Sequence, residues 1–173
     1  MRKNRNLKTA DEILRRYKRG DKVFKGITLE GDDLSKKRLS GIDFEGSTLM
    51  ECNFEQSIMS RSNLNATNLR GANLKGTNLS KATLTGCDCR GAMMKGINLS
   101  GADLRWANLE GVNLSGSNIS GANFDGANLK NANLRDANPG KLWWKANLEE
   151  AKLDGTVLPN GTVFELASSA ETD

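Results

Sequence analysis

From Phe24 to Leu134 a large apolar side chain returns every fifth residue without a break. All 23 positions are Phe, Leu, Ile or Met, with Cys89 the one small exception. Two residues before each of them, from Ile42 to Ala137, all 20 positions hold Ala, Ser, Thr, Cys, Val or Ile. The residue between is Asn in 13 cases from Asn53 to Asn138, and the residue two after the large one is Gly in 14 of 23 between Gly26 and Asp136. A sustained spacing of five matches neither the 3.6 of a helix nor the 2.0 of a strand. Locally, small-Asn-Leu is in-out-in, a very short extended segment. The two residues that follow then turn the chain, with the large residue opening a β-turn whose third position favours Gly because a type II turn needs positive φ there. Each pentapeptide is one short side and one corner.

A longer period fixes how many sides close a coil. Ser40, Ser60, Ser80, Ser100 and Ser120 recur at twenty residues, each directly after a large apolar residue. Every fourth pentapeptide then shares a side, and one side carries Phe24, Phe44, Leu64, Leu84, Leu104 and Phe124. The expected architecture is an all-β solenoid, a square tube whose coils stack at ~4.8 Å. Between Phe24 and Leu158 this makes nearly seven coils, a rod of roughly 30 Å with its interior filled by the large column.

Runs such as GANLKGTNLS, SGADLRWANLEG and SGANFDGANLKNANL resemble the pentapeptide-repeat proteins, whose consensus is A-(D/N)-L-x-x. The match covers residues 24–138 and resumes over 146–158. The resemblance implies a right-handed quadrilateral β-helix, with the hand coming from the family alone. The chain departs from the pattern at Glu51, Gln56, Arg61 and Ala66, a whole coil without a corner glycine. Turns of another type are expected there, without positive φ.

A solenoid exposes its core at both ends and needs caps. Residues 1–23 are expected to form a basic leader with a short cap helix. Thr9-Ala-Asp-Glu12 is a capping box, Ile13, Leu14 and Tyr17 share one face, and Gly20 stops the helix. The β-helix is assigned to residues 24–158. Residues 159–173 follow as a C-terminal cap, with a turn at Pro159-Asn160-Gly161, a last strand at Thr162-Val163-Phe164 and a frayed tail. Before that end the beat stumbles. Counting on from Leu134 puts Pro139 and Trp144 at the large position, whereas Ala146-Asn147-Leu148 arrives one residue early. This reading has one corner residue missing after Lys145, Trp144 stacked over Phe124 in the last coil and Trp143 facing out.

The chain has 173 residues, 37% hydrophobic and 5% aromatic, which is lean for a globular core but suits a turn-rich one. No apolar run approaches the ~18 residues of a membrane span, and the basic start lacks the apolar stretch of a secretory signal, so the expected address is cytoplasmic. The absence of histidine excludes Ser-His-Asp and Cys-His nucleophiles. No phosphate loop, dinucleotide fingerprint or metal cluster is present, and Cys52, Cys87 and Cys89 suit small buried apolar groups. Neither an enzyme nor a cofactor is expected. The net charge of +4 is concentrated in residues 1–23, which carry nine basic and three acidic side chains, while residues 24–139 carry thirteen and twelve.

Function is therefore sought on the outside. Trp106 takes a corner usually held by Gly and should point outward, as a partner contact or as an isolated exposed ring; Trp143 is a second candidate contact. Arg70, Lys75, Arg90 and Lys95 stack on neighbouring sides of the middle coils, either as ordinary surface charge or as a seat for an anionic partner. The serine column is either a solvated side that holds the coils in register or a docking face. The preferred function is a non-catalytic protein-interaction scaffold or regulator, monomeric or weakly associated end to end, with an unidentified protein partner and neither nucleic acid nor membrane. The alternative, implied by the resemblance, is a DNA mimic acting on gyrase. That role needs a markedly acidic rod, which the balanced charge of residues 24–139 does not provide.

Overall fold

The structure is a computed structural model and describes residues 9–140, 148 and 150–165. Helix α1 spans Ala10–Lys18. Strands β1 (Thr28–Glu30) and β2 (Thr48–Met50) pair in parallel, Thr28 beside Thr48. The same parallel pairing recurs as single bridges along the chain: Val23 with Asp43, Asp33 with Asn53, Arg38 with Ile58, and onward to Asn118 with Asn138. Each residue in the middle of a side pairs with the residue twenty further on, so twenty residues and four five-residue sides make one coil. Most rungs have two backbone hydrogen bonds, as where Phe24 donates to the Asp43 carbonyl (2.7 Å) and Asp43 to the Lys22 carbonyl (2.8 Å). For reference, the first to fourth sides are those whose large inward residues are Phe44, Leu49, Phe54 and Met59.

The large inward column is buried from Phe24 to Leu134 and the smaller one from Ile42 to Ala137; Leu64, Leu69, Leu74 and Leu79 have no exposed surface. Burying such a side chain contributes roughly 1.5–3 kcal/mol, so slipping the repeat by one residue, which would turn the whole column outward, is opposed along the entire rod. The smaller inward residues have a second task where they carry a hydroxyl. Ser47, Thr67, Thr77 and Ser117 donate to the carbonyls of Phe24, Phe44, Phe54 and Met94, each 23 residues earlier. Ser57 and Ser62 are buried at equivalent positions with hydroxyls that find no hydrogen-bond partner.

The Asn column also proves to be structural. At most corners the Oδ1 of the outward Asn or Asp accepts the N–H two residues on, as from Asn78 to Ser80 (3.0 Å), Asn98 to Ser100 (3.0 Å) and Asn118 to Ser120 (3.1 Å). This is an Asx turn, which the short Asn side chain closes at no cost to the ladder.

All 23 corners place their third residue in the left-handed region, including fourteen glycines and the nine residues that replace them. The expectation for the glycine-free coil is overturned: Glu51, Gln56, Arg61 and Ala66 have φ of 57°, 56°, 58° and 53°. The reason lies in the stack. The N–H of most corner residues donates to a carbonyl of the next coil, Arg61 to Ser80 (2.9 Å) and Ala66 to Thr85 (2.9 Å), and the turn closes behind it, Ser62 to Met59 (3.2 Å). A right-handed conformation at one corner would break these bonds between neighbours already locked in register. That outweighs the ~1–2 kcal/mol an L-residue loses in this region.

At the N-terminal end Thr9 caps α1 by accepting the Glu12 N–H (3.4 Å). Gly20 ends the helix with φ of 97°, its N–H bonded to Tyr17 O and that of Asp21 to Arg16 O, the pairing of a Schellman motif. Ile13 is buried in the core, with Leu14 and Tyr17 packed against it, and the Tyr17 hydroxyl donates to the Ser40 carbonyl (2.8 Å). At the other end Val163 pairs antiparallel with Val157, and Phe164 donates to Thr156 O (2.8 Å).

The stumble also differs from expectation. Asn128 pairs with Lys152 and Asn133 with Val157, a separation of 24 rather than 20. Four residues are added; none is lost. Leu148 opens the corner that closes on Ala151 (3.0 Å), one side before the Lys152 rung, so Leu148 takes the large position of the side above Phe124. Removing one residue and adding four give the same five-residue phase, which is why the beat alone misjudges the coil. Trp143 and Trp144 lie outside the described residues.

Candidate functional site

Trp106 stands at the corner between the first and second sides, 58% exposed, with φ of 56°. Its N–H is bound to the Asp125 carbonyl (3.0 Å), and its indole lies over Gly126 in the next coil, where a Cβ would collide with the ring. The guanidinium of Arg105 sits 5.5 Å from the ring centre and is itself held by Asp103 at 2.7 Å. Backbone, glycine floor and paired arginine together orient an exposed aromatic surface.

Arg70 and Arg90 stack at the corner between the second and third sides, and Lys75 and Lys95 at the next; all four are exposed. Met93, 41% exposed, lies on the side between these corners. Arg90 is not available as a free cation. It grips Asp88 with Nε at 3.0 Å and Nη2 at 2.7 Å, and this hydrogen bonding holds the Asp88 carboxyl below its usual range. The Arg105 guanidinium does the same to Asp103. The structure thus places Arg70, Arg90, Lys75 and Lys95 along the two edges of the third side. Trp106 is set apart on the far edge of the second.

The fourth side carries a pattern that charge counting along the chain does not reveal. Residues 37–41, 57–61, 77–81, 97–101 and 117–121 contain Lys37, Arg38, Arg61 and Lys81 and no acidic residue, whereas each of the other sides mixes both signs. Sorting the charges by their place in the twenty-residue period would have shown it. Ser40 and Ser60 meet at 3.0 Å through their Oγ atoms. Ser40, Ser60 and Ser80, with Gly41, Arg61 and Lys81, line a shallow groove of about 480 Å³.

The three cysteines are free thiols buried in the core. Burial pushes the Cys52 thiol up to about 11. Cys87 and Cys89 face each other at 3.4 Å in the core, and this contact, with burial, raises Cys89 well above a normal thiol. At Cys52 and Cys89 the thiolate, the nucleophile and metal ligand, is therefore disfavoured. Among the described residues no group of three or more Cys, Asp or Glu could hold a metal ion, and no helix is long and apolar enough to cross a membrane.

The parallel twenty-residue coils with left-handed corners define a pentapeptide solenoid, and the family comparison agrees. The model for pentapeptide repeats matches eight copies over residues 33–65, 62–101 and 97–136. The chain belongs to the pentapeptide-repeat family. Among solved structures it is similar to the pentapeptide repeat protein Rfr23 of the cyanobacterium Cyanothece 51142, at 25% identity, 90% of this chain, 99% of that one and a TM-score of 0.44. It is also similar to HetL of Nostoc sp. strain PCC 7120, a pentapeptide repeat protein involved in heterocyst differentiation regulation, at 22% identity over 90% of this chain and 99% of that one, TM-score 0.32. QnrB1, a plasmid-mediated fluoroquinolone resistance protein, matches at 22% identity over 76% of this chain and 82% of that one, TM-score 0.30. A comparison with curated proteins finds no match.

Proposed function

We propose that this protein is a non-catalytic interaction scaffold, a right-handed quadrilateral β-helix with α1 as its N-terminal cap, which holds a protein partner in the cytoplasm. The observation that carries this reading is Trp106, a large aromatic side chain held exposed on a rigid corner. Trp is enriched among residues that dominate interface energies, and pre-orientation lowers the entropy lost on binding. Arg70, Lys75 and Lys95, on the edges of the third side and apart from Trp106, are further candidate contacts. Affinity capture from native lysate, comparing the wild type with Trp106→Ala, should recover a protein with the former and lose it with the latter. Identical capture by both would remove Trp106 from the interface.

The DNA-mimic reading is not adopted. A surrogate for DNA must present phosphate-like negative charge, yet residues 24–139 carry thirteen basic and twelve acidic groups and the fourth side is wholly basic. Purified gyrase should keep its supercoiling activity in the presence of micromolar protein.

A further inference from the structure

We propose that the fourth-side groove is a binding site for a small ligand bearing a diphosphate or longer phosphate chain, held between Arg61 and Lys81. Three observations converge. First, Arg61 and Lys81 occupy the same corner of successive coils, both exposed, and neither makes an ion pair with a described residue. Arg90, Arg105 and Lys25 by contrast are held by Asp88, by Asp103 and by Asp43 with Glu45, whereas Arg70, Lys75 and Lys95 share the unpaired state but stand beside no serine-lined groove among the described residues.

Second, the groove's own side supplies no counter-ion. The fourth side has no acidic residue. The carboxylates facing it from the adjoining first side, Asp43 and Asp103, are engaged by Lys25 (3.3 Å) and Arg105 (2.7 Å). On the third side Asp33 is spent on the Ser35 N–H (2.9 Å) and lies in the field of Lys37.

Third, the floor offers donors and little else. The backbone N–H groups of Gly41, Arg61 and Lys81 are already bound to Ser60, Ser80 and Ser100 carbonyls. The polar groups left to line the groove are the hydroxyls of Ser40, Ser60 and Ser80, the first two bonded to each other at 3.0 Å, with the two cations beside them. Hydroxyls beside an Arg fork and a Lys point charge match the oxygens and double charge of a phosphate. Coils ~4.8 Å apart set the two cations on successive rungs, which suits a chain of phosphates better than a lone anion. The volume, about 480 Å³, is that of a small-molecule site.

The test uses the full chain and inorganic pyrophosphate, with sulfate at matched ionic strength as the comparison. Amide shifts at Ser40, Ser60 and Ser80, followed by NMR during titration, should saturate with pyrophosphate and not with sulfate, and binding should weaken as salt rises. Arg61→Gln and Lys81→Gln should each weaken it about tenfold or more. These variants keep the fold testable, since Gln56 already occupies a left-handed corner. The double variant Lys75→Gln/Lys95→Gln, on another side, and Trp106→Ala should bind as the wild type does, which separates this site from the proposed protein contact. An unsaturable response, equal response to sulfate, or equal loss in the Lys75/Lys95 variant would overturn the proposal.

Discussion

Residue identity matters most in this protein where it meets a demand made by the neighbouring coil. Ala66 sits at φ 53° and Gly86, one coil on in the same column, at φ 65° with open space where a Cβ would go. Gly86→Ala should therefore cost about 1–2 kcal/mol through conformation alone. Ala66→Gly should stabilise by less than that, because the unfolded chain gains freedom; urea denaturation of the two variants measures both. A second contrast concerns buried hydroxyls. Thr77 donates to the Phe54 carbonyl at 2.7 Å whereas Ser57 donates to nothing. Thr77→Val should lower stability by about 1 kcal/mol, and Ser57→Ala should leave it unchanged or raise it. Equal losses in the two would mean that Ser57 has a partner after all.

At the scale of one side and its corner, each pentapeptide carries its own small electrostatic module. Asp88 and Asp103 each close an Asx turn and pair with the arginine two residues on. Both carboxyls are held below the usual 3.8, first by the arginine hydrogen bond. Their stabilising contribution is thus complete above about 3.9, the value of an unfolded Asp, and fades as pH falls through the lower folded value. Because the groups are partly exposed, the contribution is modest and screened by salt. Asp88→Asn with Asp103→Asn should make stability less dependent on pH below about 4 and leave the Asx turns intact, since Asn fills the same place elsewhere. Chemical denaturation between pH 2.5 and 6 reads this, and an unchanged acid limb would show that other carboxylates set it.

The whole molecule behaves as a stack in which each coil bonds only to its neighbours, so its stability is close to a sum of coil and interface terms. Deleting Ala82–Gly101, one complete coil, joins Lys81 to Ala102 and leaves every column continuous. That variant should fold and unfold in a single transition a few degrees lower in Tm. Deleting residues 82–99 removes two fewer residues yet should abolish cooperative folding, because the large inward residues after the join change phase. Circular dichroism melts of the two deletions decide the matter, and a folded eighteen-residue deletion would contradict the register argument.

The amino-acid sequence by itself determined the five-residue side, the twenty-residue coil, the inward columns and the start and stop of α1. Each of these rests on a contrast repeated locally, apolar against polar or Gly against bulk, so a few neighbouring residues settle it. Three matters were decided only by the tertiary structure. Glu51, Gln56, Arg61 and Ala66 adopt left-handed corners because bonds to adjacent coils outweigh their own preference. The added four residues before Leu148 are distinguishable from a single loss only by which rung Lys152 joins. The acid-free fourth side gathers Lys37, Arg38, Arg61 and Lys81 from up to forty-four residues apart. Proximity of that kind exists only once the coils are stacked, and there the serines acquire Arg61 and Lys81 as neighbours.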